Sequence, residues 1–404
     1  RMASMTPVAR ISAAIEILDA VMDGESAERV LTTWARGNRY AGSKDRAAIR
    51  DHVFDALRCL RSFSWLGGAG GRISDGAEGA RPTGRQLMIG LLRDAGVDLD
   101  TMFLEARFAP APLTGAERNL PDLAEAPRAV RLDCPDWIVP LYDAVLGDDT
   151  DAVLHMTRSR APVFLRVNIG KATLAEAQDA LLADGIETEP HPLSSTALKV
   201  TVGARAVARS QAYLTGLVEL QDAGSQAIID ALPLTDGLRV LDYCAGGGGK
   251  ALAMAAKADM DVTAHDIDPA RMQDIAPRAS RAGVHISTAR LADLADTYDL
   301  VLCDAPCSGS GSWARAPQAK WMLQETRLEA LTNVQAQILD DVVSHVAVGG
   351  ILAYATCSLF DAENKAQISQ FLSRHPQFEL QTDRLLTPLE GGDGFYVAVM
   401  TKTA

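Results

Sequence analysis

A doubly wound, mostly parallel α/β sheet, preceded by an all-helical domain and a small α+β module, is the fold this 404-residue chain predicts. Three observations carry that expectation. From Ala223 onward, short apolar strand-like runs alternate with helical stretches. Four consecutive glycines, Gly246 to Gly249, stand between the first of those runs and the helix after it. Upstream, from Pro7 to about Leu104, apolar side chains recur at helical spacing instead.

In chain order, Ile11, Ile15, Leu18 and Val21 share one helical face, Val30, Leu31 and Trp34 a second, and Val53, Leu57 and Leu60 a third, which defines a helical domain over 1–108. Pro110, Pro112, Pro121 and Pro127 break any period, so 109–130 reads as a linker. Over 131–220 the pattern changes to α+β, with strands at Val163–Val167 and Ala197–Val202 around a helix at Leu174–Asp184. The last domain, 221–404, has strands at Leu238–Asp242, Val262–Asp266, Leu300–Asp304, Gly350–Ala355 and Phe395–Val399. Ligands of such sheets bind at the carboxyl ends of the strands, and every motif below sits at such an end.

Composition narrows the function classes. An apolar content of 48% with 23% charged residues is that of a globular protein, and no apolar run approaches the ~20 residues that span a bilayer, so the expectation is a cytoplasmic protein with no membrane role. Six cysteines (59, 134, 244, 303, 307 and 357) lack the dense spacing of a disulfide scaffold and read as reduced thiols; no paired Cys or His spacing suggests a metal. A net charge of −13 has the wrong sign for coating nucleic acid, so any RNA contact must come from local cations. Arg36, Arg39, Lys44, Arg46, Arg50, Arg58 and Arg61 outnumber Asp45, Asp51 and Asp55 in one stretch, which fits an RNA surface or a solvated helix face equally well.

The loop Asp242-Tyr243-Cys244-Ala245-Gly246-Gly247-Gly248-Gly249-Lys250 follows a strand and opens a helix, where glycines let a ligand approach the backbone and the helix N-terminus. A phosphate-binding loop would need Gly at Cys244 and Ser or Thr at Ala251. The dinucleotide spacing is met by Gly246, Gly248 and Ala251, with Asp266 where a ribose-binding acid belongs. S-adenosylmethionine enzymes of the doubly wound class use the same geometry, and the loop alone does not choose between the two ligands.

Two later motifs carry thiols: Asp304-Ala305-Pro306-Cys307-Ser308-Gly309-Ser310-Gly311 and Ala355-Thr356-Cys357-Ser358. Both loops leave the sheet on the edge of the glycine loop, so two thiols and a carboxylate should converge there. Cys59, Cys134 and Cys303 read as inert buried thiols instead. Carbon 5 of cytosine is too electron-poor to take a methyl group until a nucleophile adds at carbon 6, and a thiolate does this well. A carboxyl such as Asp304 can hydrogen-bond N3 and the exocyclic amine, and a second thiol suits release of the adduct.

These residues resemble the Nop2/Sun-type RNA cytosine-5 methyltransferases, most closely the bacterial ribosomal RNA branch. The likeness covers the whole chain and is strongest from Leu220 to Phe371, including Gln221-Asp222-Ala223-Gly224-Ser225-Gln226 and both cysteine motifs. It implies a class I S-adenosylmethionine methyltransferase fold, a NusB-like RNA-binding helical domain around Asp45-Arg46-Ala47 and Arg58 to Arg61, and an α+β module opening at Pro162 to Asn168. It further implies Cys357 as nucleophile, Cys307 as its partner in release, and Asp304 and Lys250 as catalytic. Cys244, Ala245, Gly246, Gly247, Gly248, Gly249, Lys250, Asp266, Arg271 and Asp304 would bind S-adenosylmethionine. RNA, as ribosomal RNA or a small-subunit particle, would be the substrate. Two positions depart from the pattern: Gly246 and Gly247 replace the family's second Ala and Pro, and after the third strand Ala289 and Arg290 stand where an acid is usual, with Asp293 nearest. The expected activity is formation of 5-methylcytosine in RNA. The alternatives are a catalytically weak RNA-binding or ribosome-assembly factor of the same fold, and a nicotinamide-dependent oxidoreductase that would leave both cysteine motifs unexplained.

Overall fold

The computed structural model describes residues 4–73 and 80–404. The chain forms two compact units, one of residues 1–160 with Trp313–Met322, the other of residues 161–312 and 323–404.

The first unit is helical: α1 (Pro7–Met22), α2 (Ala27–Gly37), α3 (Ser43–Arg58), α4 (Leu60–Leu66), α5 (Gly84–Asp94), α6 (Arg128–Arg131), α7 (Val139–Leu146) and α8 (Thr150–Met156). The α1 start is set by Thr6, whose hydroxyl accepts from the Ala9 amide, and by Pro7, which needs no amide partner there. Ile11, Ile17, Leu18 and Val21 of α1 meet Leu31, Trp34, Ile49, Val53, Leu57, Leu87 and Met88 in one core. Ile17 lies at the centre of that face and Ile15 only at its edge.

The proline-rich stretch that reads as a linker is a strap pinned to this unit. Arg85 donates to the Ala111 and Pro112 carbonyls and pairs with Glu117; Arg93 donates to the Leu120 and Pro121 carbonyls. Leu113, Leu120 and Leu123 pack against the helical core. Prolines erase periodicity, but the irregular carbonyls they leave are satisfied by two distant arginines. Helices α6 to α8 also pack with this unit, and the two compact units divide at Arg160.

The second unit opens with β1 (Phe164–Val167), α9 (Leu174–Ala183), β2 (Glu187–Pro190), β3 (Ala197–Val202), α10 (Gln211–Leu214) and β4 (Val218–Leu220), whose strands form a sheet in the order β2-β3-β1-β4. Glu187-Thr188-Glu189-Pro190 has no apolar alternation because β2 is a largely exposed edge strand, so it could not be read from sequence. Then come α11 (Ala223–Asp230), β5 (Arg239–Asp242), α12 (Gly249–Ala255), β6 (Asp261–Ala264), α13 (Ile275–Ala282), β7 (Ser287–Thr288) and β8 (Tyr298–Asp304). After β8 the chain passes through α14 (Pro317–Met322), which belongs to the first unit, and returns with α15 (Glu325–Val342), β9 (Val346–Thr356), α16 (Lys365–Arg374), β10 (Phe378–Leu386) and β11 (Phe395–Lys402).

The seven-stranded sheet has the order β10-β11-β9-β8-β5-β6-β7. Strands β5 to β9 are parallel, and β11 runs antiparallel to both β9 and β10. Helices α11, α12 and α13 cover one face, α15 and α16 the other. Along β8 the side chains alternate accordingly, Leu300 and Leu302 to the first face and Val301 and Cys303 to the second. The order reverses between β5 and β8, which opens the crevice where doubly wound sheets bind ligands.

Residues Trp313–Met322, part of the connection from β8 to β9, are core of the helical unit. Trp313 is 1% exposed and meets the Tyr142 ring edge-on at 6.1 Å. Trp321 Nε1 donates to the Leu57 carbonyl (2.6 Å), buried Lys320 Nζ to the Arg58 carbonyl (3.3 Å), and Arg58 Nε to the Ala314 carbonyl (2.8 Å). This corrects the reading of the basic stretch. Arg58 is 6% exposed and holds the inserted segment and Arg61 donates to the Gly71 and Cys134 carbonyls, so these two serve packing, whereas Arg50 pairs with Glu28 at the surface. Arg36, Arg39, Lys44 and Arg46 remain exposed. Trp313→Ala is expected to destabilise the helical unit by about 3–5 kcal/mol, the cost of emptying a buried aromatic site, measured by urea unfolding; a loss under about 1 kcal/mol would show that the segment is not core.

Candidate active site

The crevice is built from four strand ends. At the end of β5 the chain turns through Cys244 to Gly248 into α12, with Gly246 (φ 50°) and Gly248 (φ 80°) in the left-handed region that only glycine enters freely. A Cβ on Gly248 would stand 2.7 Å from the Ile275 side chain, so the loop packs flat against α13. Its backbone is tied to the end of β6: Ala245 N donates to the His265 carbonyl (2.8 Å) and Gly246 N to Asp266 Oδ2 (2.9 Å). Asp266, 2% exposed, also accepts from the Asp268 amide (3.0 Å) and pairs with Arg271 at 3.1 Å. Asp266 and Arg271 are thus one ion pair clamping the loop. Cys244 is not poised for chemistry, because burial and the charges of Asp242, Asp304 and Asp266 hold its thiol far above the ordinary range.

Lys250, in the first turn of α12, is buried over the Phe395 ring and donates to Asp304 Oδ2 at 2.7 Å. Burial alone would lower its pKa; the Asp304 carboxylate outweighs burial and keeps it charged. Asp304 ends β8 opposite Ala355 of β9, and this register brings the two thiol loops together. Ala305 N donates to the Ala355 carbonyl (2.9 Å) and Gly311 N to the Cys357 carbonyl (2.9 Å). A Cβ on Gly311 would lie 2.2 Å from the Gly394 carbonyl oxygen, so no side chain fits where the loops cross.

Cys307 Sγ and Cys357 Sγ are 3.4 Å apart as free thiols sharing one hydrogen bond. Their electrostatics diverge. The bond to Cys307 lowers Cys357, and Lys250 adds to this against burial and Asp304. The bond to Cys357 raises Cys307 well above the ordinary range, as do burial, the Cys357 charge and Glu363. The shared bond thus favours ionisation at Cys357 and the protonated form at Cys307. Cys59, Cys134 and Cys303 are buried with thiols pushed up by burial, to about 12 for the first two. Among the described residues no group of His, Cys, Asp or Glu could hold a metal ion, and no helix is long and apolar enough to cross a membrane.

Known proteins resemble this chain. A family model described as 16S rRNA methyltransferase RsmB/F matches residues 229–400, and one for the RsmF/B-like ferredoxin-like domain matches residues 134–206. Ribosomal RNA small subunit methyltransferase B of Yersinia pestis bv. Antiqua (strain Angola) is 30% identical over 436 residues, covering 97% of this chain and 98% of that protein. The chain belongs to the RsmB/F family of 16S ribosomal RNA methyltransferases. Solved structures agree in fold. PH0851 covers 98% of this RsmB/F chain and 99% of its own at a TM-score of 0.73 and 22% identity; NSun6 from Pyrococcus horikoshii, solved with SFG, covers 67% and 98% at 0.60 and 16%.

Within this RsmB/F site, two side chains escaped sequence reading. One is Glu363, below the cysteine loops; the other is Asp242, at the end of β5. Neither Asp242 oxygen has a hydrogen-bond partner of ordinary geometry, and burial, with the Asp304 and Asp266 charges, pushes the carboxyl up to about 7 against Lys250 and the Ala251 amide. A carboxyl raised above its unfolded value of about 4 contributes stability that is complete below about pH 4 and lost as pH rises through about 7. Asp242→Asn, which cannot ionise, is expected to abolish this decline, gaining on the order of 2–4 kcal/mol on wild type between those limits in urea unfolding. Parallel stability curves for the two proteins would refute the assignment.

Proposed function

We propose that this methyltransferase transfers a methyl group from S-adenosylmethionine to carbon 5 of a cytosine in small-subunit ribosomal RNA, through a covalent adduct between Cys357 and carbon 6. The observation that carries the reading is the thiol pair 3.4 Å apart, whose shared bond lowers Cys357 and raises Cys307, with the Lys250 charge adding to the lowering of Cys357.

The chain's own residues suit each requirement. The glycine loop leaves bare backbone at a helix start, and the unpartnered Asp242 oxygens beneath it offer acceptors for an ammonium group. Asp266 would hold the ribose hydroxyls, and Arg271 keeps it aimed. S-adenosylmethionine supplies an electrophilic methyl group at this loop. The Cys357 thiolate forms the carbon–sulfur bond at carbon 6, and Asp304, fixed by Lys250, hydrogen-bonds the base as charge develops on the ring. Carbon 5 then takes the methyl group. Forming the adduct also consumes the Cys357 thiolate, and with it both the hydrogen bond and the charge that raise Cys307, so Cys307 becomes more acidic and loses its proton to solvent when a thiolate base is next needed. Removal of the carbon 5 proton by that base returns electrons to the ring and expels Cys357.

Two measurements test this. Asp266→Ala should weaken S-adenosylmethionine binding by the ~1.5–3 kcal/mol of a lost charged hydrogen bond, read by calorimetry; a loss under about twofold would remove Asp266 from the cofactor site. Cys357→Ala should abolish methylation with no covalent adduct. Cys307→Ala should transfer methyl yet trap a protein–RNA conjugate, seen on denaturing gels as a slow band that ribonuclease removes. A band from Cys357→Ala alone would reverse the roles.

A further inference from the structure

Below the two cysteine loops lies a carboxylate that the proposed reaction does not use. Glu363, fully buried, follows the Cys357 turn. Its Oε1 accepts from the Ser308 amide (2.8 Å) and Gln335 Nε2 (3.1 Å); its Oε2 accepts from the Ser308 hydroxyl (2.5 Å) and the Ser358 hydroxyl. Ser308 is the residue after Cys307 and Ser358 the residue after Cys357, so one side chain grips both turns. Asn364 completes the grip on the Cys357 side, accepting from the Thr356 hydroxyl (2.6 Å) and donating to the Ser358 carbonyl (2.9 Å). Gln335 does the same on the other side, donating to the Pro306 carbonyl at 2.9 Å.

Four donors offset the cost of burying a carboxylate, and a neutral amide could hold the loops almost as well. What an amide could not supply is charge. The ionisable groups that face the thiols are Asp304 from β8, Lys250 from α12, Tyr354 from β9 and Glu363 from the turn after it. Tyr354 is kept neutral by burial, and Lys250 and Asp304 act on Cys357. Glu363 takes two bonds from the Cys307 turn, the Ser308 amide and hydroxyl, and one from the Cys357 turn, the Ser358 hydroxyl, and its charge is among those that raise Cys307.

We propose that Glu363 is a positioning residue of the two-cysteine site: it clasps both loops in register and, held by the amide and hydroxyl of Ser308 directly after Cys307, places a carboxylate that favours the protonated form of that sulfur. The proposal rests on the two-thiol reading above, but its test needs neither RNA nor methyl donor. The initial rate of iodoacetamide alkylation is measured at Cys307 and Cys357 separately, by peptide mass spectrometry, from about pH 6 to about pH 10. In wild type Cys357 should react at lower pH than Cys307. In folded Glu363→Gln the Cys307 curve should move to lower pH by about one unit, on the order of a tenfold faster rate at a fixed pH below its midpoint, with Cys357 moving less. Glu363→Asp, which keeps the charge and shortens the reach, should keep the order. Unmoved curves in Glu363→Gln, or equal shifts at both cysteines, would overturn the proposal. If Glu363→Gln does not fold, the wild-type order and Glu363→Asp still decide: Cys307 reacting first in either protein refutes it. Loss of methylation with the alkylation order intact would count against the proposed reaction alone.

Discussion

The contact between Cys307 and Cys357 depends on one constraint: β8 and β9 run parallel as neighbours, with Asp304 opposite Ala355. Parallel pairing sends both strands out on the same edge of the sheet, and the register puts the two loops level there. A slip of one residue would turn every side chain of β9 to the other face and break both the Ala305 and the Gly311 amide bonds that pin the loops. The alternation that holds the register is plain in β8, where Leu300 and Leu302 face one core and Val301 and Cys303 the other.

Around that contact the site is a balance of buried charges. Lys250 is the cation among three carboxylates, Asp304 as its partner and Asp242 and Glu363 deeper. Glu363 has a full set of donors and needs no other compensation. Asp242 has none of ordinary geometry, and burial with the Asp304 and Asp266 charges pushes its carboxyl up to about 7. Unpaired buried acceptors persist where a ligand can complete them, and this one lies below the glycine loop. Two thiols that would be equivalent in water therefore differ in the protein, first through the bond they share and then through burial and the neighbouring charges.

The helical unit is not confined to one end of the chain. Its core includes Trp313 and Lys320, from the connection between β8 and β9. The segment begins six residues past Cys307, directly after Ser312, whose side chain contributes to lowering Cys357. The same covalent stretch thus serves helical packing and the thiol site, and Arg58 is spent on holding it. Arg36, Arg39, Lys44, Arg46 and Arg50, in α2, α3 and the loop between them, stay exposed.

Short-range patterns in the sequence determined a good deal. The helical period of α1 to α3, the apolar runs of β5, β6, β8, β9 and β11, the glycine turn after Asp242 and both cysteine motifs were all legible, because each is set by residues within one turn or one strand. The edge strand β2, the strap over 109–129 and the insertion of Trp313–Met322 were not, since each depends on a partner far away in sequence: β3, Arg85 and Arg93, Leu57 and Arg58. Arg58 looked like a free cation for the same reason. Glu363 and Asp242 are ordinary acids in the sequence, and only tertiary structure buried them, one with four donors and one with none of ordinary geometry. Residue type determined which groups can ionise or attack; the fold decided their neighbours, and with them which charge survives.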